Sequence, residues 1–270
     1  MRVLSGIPRL RGDESPASWL TRAALSQGVR VEELMAYLGL PVNRDPDLTM
    51  KGKVLCKAAA LAGHSISSFS FATHMFSGLE GIDPSGENLL LWTKEGKPRY
   101  RFCPLCLHEP GVKYFPLHWR FQAWRWCPLH DCLMSDYCPH CHTEVKRPGS
   151  MLFAGLDRAG VAYLDRCLQC AEKLDDGCET IPHPFQEGLT ADWENTLLAN
   201  GRAVLSAIFK RYFLISRSNN RYPLDKLIKF KKMGILPHNL LDMSSQELEL
   251  RREKINVPLR NHPGFLKDLK

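Results

Sequence analysis

The chain has 270 residues, 44% apolar and 24% charged, a balance that suits a globular protein with a sizeable core and one to three domains. No apolar run approaches the roughly 18 residues that a membrane span requires, so no membrane role is expected. The formal charge of +7 permits contact with nucleic acid, and the first residues hold no signal-peptide stretch, so a cytoplasmic chain with reduced cysteines is expected.

Residues up to about Asp13 read as a basic arm or a disordered lead-in. The following stretch, DESPASWLTRAALSQG, has Ser15 as a helix N-cap, Pro16 in the first turn and Gly28 as the stop. Trp19, Leu20, Ala23 and Ala24 form its apolar stripe. A second helix over Val31–Leu38 ends at Gly39, and the pair fits a helix-turn-helix. A third helix is expected over 50–62, with Leu55 and Leu61 inward and Cys56 as a buried thiol. A fourth runs from Ser65 or Ser67 to Met75 or Phe76, stopping at Gly78. His64 and His74 have no partner at ligand spacing and read as structural or exposed. Residues 1–80 are therefore expected to be an N-terminal helical helix-turn-helix bundle, and 81–100 a linker with a short strand at 89–92.

The stretch 101–141, RFCPLCLHEPGVKYFPLHWRFQAWRWCPLHDCLMSDYCPHC, carries three donor pairs: Cys103/Cys106, Cys127/His130 and Cys138/Cys141. A fourth, Cys167/Cys170, follows after a gap of 25 residues. The two-residue spacing lets a tight turn aim both side chains at one ion, and Pro104, Pro128 and Pro139 favour such turns. Eight donors suit two tetrahedral zinc ions. Two groupings are open. The sequential one joins pairs one and two, and pairs three and four, across loops of 20 and 25 residues typical of zinc ribbons and fingers. The cross-braced one joins pairs one and three, and pairs two and four. Either way each ion has four protein donors and no open position, which makes both Zn2+ structural and leaves no catalytic residue.

Cys132 and Cys178 are spare thiols under this assignment, and Cys132 is close enough in sequence to compete as a ligand. His108, His118, His140 and His142 complete no pair. Residues 116–126 suggest an inserted helix with Leu117, Phe121 and Trp124 on one face and Arg120 and Arg125 outward. Its aromatics either stack on bases or, the favoured reading, let Trp119, Trp124 and Trp126 supply a core. Residues 101–185 thus form a tandem zinc-finger module. Seven thiolates against the four charges of two divalent ions remove three, leaving the metallated chain at about +4.

Beyond Pro184 a long helix is expected over 193–213, continuous or broken at Gly201. Between residues 201 and 233 nine Lys or Arg stand against the single acid Asp225. Within this run Arg217, Arg221, Lys226, Lys229, Lys231 and Lys232 are the candidate residues for binding nucleic acid or an acidic partner; a solvated helical face is the alternative. Ser244 and Glu247 form a capping box that opens a last helix to about Lys254. Residues 186–270 are a basic helical C-terminal extension. The fold class is mainly α with small β zinc ribbons.

The acidic-Ser-Pro-x-Ser-Trp lead into the first helix, followed in order by RFCPLC, LHWRFQAWRWCPLHDCLM and YCPHC, resembles the TniQ family of transposition proteins over roughly residues 5–175. The resemblance implies a helix-turn-helix half joined to a zinc-finger half, in a bacterial, nucleoid-associated adaptor without catalytic residues. It implies the sequential grouping: Cys103, Cys106, Cys127 and His130 at one zinc, and Cys138, Cys141, Cys167 and Cys170 at the other. It also implies two partners, a target-recognition module and the AAA+ ATPase regulator TnsC, which recruits the transposase. In some systems that module is a CRISPR RNA-guided complex on which TniQ docks as a head-to-tail dimer. In TnsD-type relatives a longer C-terminal part binds a fixed DNA site directly. The segment after about 190 matches no part of the family.

Two other functions compete. A stand-alone transcription regulator needs a basic recognition helix, but the second helix carries only Glu32 and Glu33, leaving Lys51, Lys53 and Lys57 of the third. A zinc enzyme needs a motif such as His-x-Glu before Pro-Cys-x-x-Cys or a His-Glu-x-x-His helix, and neither is present.

Overall fold

Ser15 caps α1 (Pro16–Gln27) by accepting from the Ser18 amide at 3.1 Å, and Gly28 ends it in the left-handed region at φ 63°. The computed structural model that contains this helix describes residues 4–149, 164–176, 191–214 and 220–232. Helix α2 (Val31–Leu38) ends likewise at Gly39. Trp19, Leu20, Ala23 and Ala24 of α1 share a first core with Val31, Leu34, Met35 and Leu38 of α2. The expected third helix forms as α4 (Gly52–Leu61), and a short α3 (Pro46–Thr49) that was not expected precedes it, set apart where Met50 leaves helical backbone and Gly52 takes φ 55°. The missed signal is Asp45, which caps α3 through the Asp47 amide at 2.9 Å.

Cys56 is exposed rather than buried. Leu55, Ala58, Ala59 and Leu61 take the inward positions of α4, and residue 56 falls on the opposite face with 53 and 60. The lead-in is no free arm from Leu4 onward. The Leu4 amide donates to the Leu61 carbonyl at 2.8 Å, Leu4, Ile7 and Leu10 pack on the core, and the Pro8 carbonyl accepts from the Trp19 indole.

The fourth helix starts as a 3-10 turn (Ile66–Phe69) and continues as α5 (Ser70–Glu80), past Gly78. Ala72, Met75, Phe76 and Leu79 of α5 enter a second core, shared with the cysteine-rich half and with α7 (Ala191–Lys210). The segment read as a linker sends Leu89 and Leu90 into the same core. Its backbone explains why 116–126 is not a helix: the Leu91 amide donates to the Arg120 carbonyl, and the Gln122 amide to the Leu89 carbonyl. Residues there pair across the chain instead of along it, leaving a single 3-10 turn, Leu117–Arg120. The remaining elements are α6 (Pro104–His108), the hairpin β1 (Trp126–Cys127) and β2 (Cys132–Leu133), the hairpin β3 (Tyr212–Leu214) and β4 (Arg221–Pro223), and α8 (Lys226–Lys232). The chain is thus helix-rich with small antiparallel sheets. No described helix is long and apolar enough to cross a membrane. Residues 244–254, read as a last helix, lie outside the described residues.

Arginine occupies the seam between the two cores. Arg120 and Arg125, expected to face outward, are buried, and Arg120 is wholly so. The Arg120 guanidinium donates to the Leu91 carbonyl and to Asp45 at 2.6 Å, lies 3.5 Å from Asp47, and stacks on the rings of Trp92 and Tyr100. The Tyr100 hydroxyl in turn bonds Asp47 and Ser15. The acidic-Ser-Pro-x-Ser-Trp motif belongs to the same seam. Glu14 pairs with the buried Arg22 at 2.6 Å, while Ser18 donates to Glu14 and accepts from the Phe115 amide. A β-bridge joins Glu14 to Pro116.

Candidate metal centres

The first centre forms where α6 meets the β1–β2 hairpin. Cys103 is the N-cap of α6, with Pro104 at its first position, which brings Cys106 round one turn beside it. The hairpin supplies Cys127 from β1 and His130 from the turn. His130 Nδ1 lies 3.6, 3.2 and 3.6 Å from the sulfurs of Cys103, Cys106 and Cys127, and the sulfurs of Cys106 and Cys127 are 3.6 Å apart. Zinc–sulfur bonds of about 2.3 Å set at tetrahedral angles put donor atoms roughly 3.5–3.8 Å apart, so these residues fit a four-coordinate ion. His130 Nε2 is 2.9 Å from Glu109. A ring bound through Nδ1 carries its proton on Nε2, and a carboxylate there fixes that tautomer and the ring's direction.

The second centre is built from two turns of the same design. Cys138 and Cys170 have sulfurs 3.7 Å apart, as do Cys141 and Cys167. All four sulfurs lie within 4.8 Å of one another. Bridges Tyr137↔Glu144 and Arg166↔Lys173 close the base of each turn. Inside them the His142 amide donates to the Cys138 carbonyl, and the Ala171 amide to the Cys167 carbonyl. His142 and Ala171 both have positive φ, 53° and 77°, and so does Asp131 at 51°, each four residues after the first donor of its pair. That conformation reverses the chain directly after the second ligand. It is unusual for residues other than glycine, and the same turn at three donor pairs marks it as a property of the metal knuckle. The fold brings together pairs one and two and pairs three and four, not the cross-braced sets.

Of the histidines that complete no pair, two flank the centres and two lie elsewhere in the fold. His108 Nδ1 is 3.0 Å from Asp175, and His140 Nε2 is 3.1 Å from Asp176. His74 lies on the Phe209 ring and bonds its carbonyl, and His64 reaches the Pro8 carbonyl. Trp119, Trp124 and Trp126 are all buried, and the first two share the second core with Cys103 and Cys127 of the first centre. Cys132 is buried beside that centre, its sulfur 3.7 Å from Cys103. Cys178 lies outside the described residues.

The basic run divides. Arg211 is drawn inward, bonding the His74 carbonyl at 2.7 Å and Ser77 at 2.9 Å, and Arg202 is half-buried. Arg221 is exposed over the Tyr212 ring, Lys226 reaches Asp225 at 3.6 Å, and Lys229 is exposed on α8. Arg217 and the side chains of Lys231 and Lys232 lie outside the described part. Of the lysines weighed for a recognition helix, Lys51 pairs with Glu80, and Lys57 lies over Tyr37 and donates to its carbonyl.

No curated protein matches the chain. Residues 6–134 match the family model TniQ, a span that runs from the lead-in through the first core and the arginine seam to the end of the first centre. Those residues form a TniQ domain, and over them the chain is a match to the TniQ family.

Proposed function

We propose that this protein is a non-enzymatic adaptor in DNA transposition, linking a target-recognition module to the AAA+ regulator TnsC and so directing the transposase. The TniQ match over residues 6–134 carries the reading, since the family acts in transposition as an adaptor. An adaptor must hold two surfaces in fixed relation, and a buried ion-pair seam between two cores supports that task. The donor clusters fit two structural Zn2+, one held by Cys103, Cys106, Cys127 and His130, the other by Cys138, Cys141, Cys167 and Cys170. Zinc bound there replaces packing that the short hairpins and turns are too small to provide. Helices α1 and α2, joined by a glycine-ended turn, are read as the helix-turn-helix of the bundle.

The target module is an RNA-guided CRISPR complex or a DNA site, and the exposed basic residues Arg221, Lys226 and Lys229 supply charge for nucleic acid or an acidic partner surface. A head-to-tail homodimer is the assembly expected on an RNA-guided complex. The test is co-purification of the zinc-loaded chain with the TnsC-type ATPase from the same locus, in the presence of ATP. Stable recovery of the ATPase supports the adaptor. No binding by calorimetry, from a chain with full zinc content, overturns it.

A further inference from the structure

Five donors, not four, converge on the first centre. Cys127 and Cys132 stand directly opposite each other across the β1–β2 hairpin. Cys132 is 3% exposed, its sulfur 3.7 Å from Cys103. Such a separation is that of two thiolates sharing one zinc. His130 approaches differently. It projects from the hairpin turn, its side chain is 17% exposed, and its outer nitrogen leans on Glu109, whose side chain is 60% exposed. The histidine arm of the site is therefore the one that solvent and partners reach, while the spare thiol is buried on the strand, against Cys103 and across the hairpin from Cys127.

We propose that Cys132 is a reserve ligand of the first centre: Cys103, Cys106 and Cys127 hold the ion throughout, and Cys132 takes the fourth position when His130 leaves it. The inference rests on reading the cluster as a zinc site. In the exchange the zinc–imidazole bond breaks, a zinc–thiolate bond to Cys132 forms, and the thiol proton passes to the freed imidazole. The new imidazolium then faces the Glu109 carboxylate, so the released arm keeps a partner of opposite charge. No oxidant or reductant is needed. The exchange leaves the zinc in place and frees the turn around Leu129, which is 77% exposed, to move against a docking partner.

The experiment uses the full chain, with zinc counted per molecule and its release to a chelator followed over time. The variants are His130→Ala, His130→Asn, Cys132→Ser and the double variant His130→Ala/Cys132→Ser. Wild type binding fewer than two ions would refute the two-site reading itself. With two ions in wild type, both His130 variants are expected to keep two, and the double variant to keep one. Cobalt loading of the His130 variants should add thiolate-to-cobalt absorption, as seven such bonds become eight. Cys132→Ser alone should keep two ions but lose one of them severalfold faster to the chelator. A His130 variant holding one ion, or two ions without added thiolate absorption, overturns the proposal. Should the His130 variants fail to fold, an unchanged release rate in Cys132→Ser overturns it equally.

Discussion

Arg120 sits with no solvent exposure between Asp45 and Asp47, so two carboxylates surround one guanidinium inside the protein. Removing one member of such a group leaves buried charge uncompensated. Replacing Arg120 with Met is expected to lower stability by about 3–5 kcal/mol in denaturant unfolding. A loss below about 1 kcal/mol would show that the seam does not depend on it. The same site predicts a pH dependence. Burial, and then the charge of Asp45, raise the Asp47 pKa to about 7 against the opposing pull of Arg120, Tyr100 and the Ala17 amide. The native state therefore holds a proton on Asp47 that the unfolded chain releases near pH 4. The resulting stabilisation is complete below pH 4 and is lost as pH rises to 7. Asp47→Asn is expected to remove this component, and subtracting its stability–pH curve from that of wild type isolates it. Curves that run parallel between pH 4 and 7 would show that Asp47 is ionised throughout.

At the scale of elements, α7 shows packing overriding helix propensity. Glycine at mid-helix costs about 1 kcal/mol relative to alanine, yet α7 continues unbroken through Gly201. A Cβ at that position would lie 3.0 Å from the Ala123 carbonyl oxygen and 3.0 Å from the Trp124 ring. The carbonyl belongs to backbone fixed at the edge of the first centre and has little room to yield. Gly201→Ala is accordingly expected to destabilise by about 1–2 kcal/mol, the overpacking penalty exceeding the propensity gain. A rise in melting temperature would mean that α7 can shift on the core. Gly78 of α5 has a related role, its missing side chain leaving room for the Arg211 guanidinium.

At the scale of the whole molecule, the described residues of the cysteine-rich half form two-residue strands, one short helix and turns packed on the second core, with two donor clusters that fit metal ions. Metal analysis of the purified chain should find two zinc ions. Cys138→Ser should reduce that to one, with lower solubility and melting temperature, because an unfilled four-cysteine site removes folding free energy outright. A folded Cys138→Ser protein with unchanged melting would show that the second ion is dispensable. The local parts of this architecture were legible in the sequence. Ser15, Pro16 and Gly28 bounded α1, Gly39 closed α2, and two-residue donor spacing marked all four knuckles, because caps, tight turns and ligand pairs act between residues a few positions apart. The sequential grouping of the pairs, implied by the family resemblance, is the one that the fold brings together, whereas the tertiary structure alone decided the burial of Arg120 and Arg125 and the non-helical path of 116–126. Each depends on groups distant in the chain: the acids Asp45 and Asp47 that meet Arg120, and the backbone of 89–91 that takes the hydrogen bonds a helix at 116–126 would have kept for itself. A sequence pattern encodes the propensity of a segment, but only the fold supplies the partner that satisfies or overrules it.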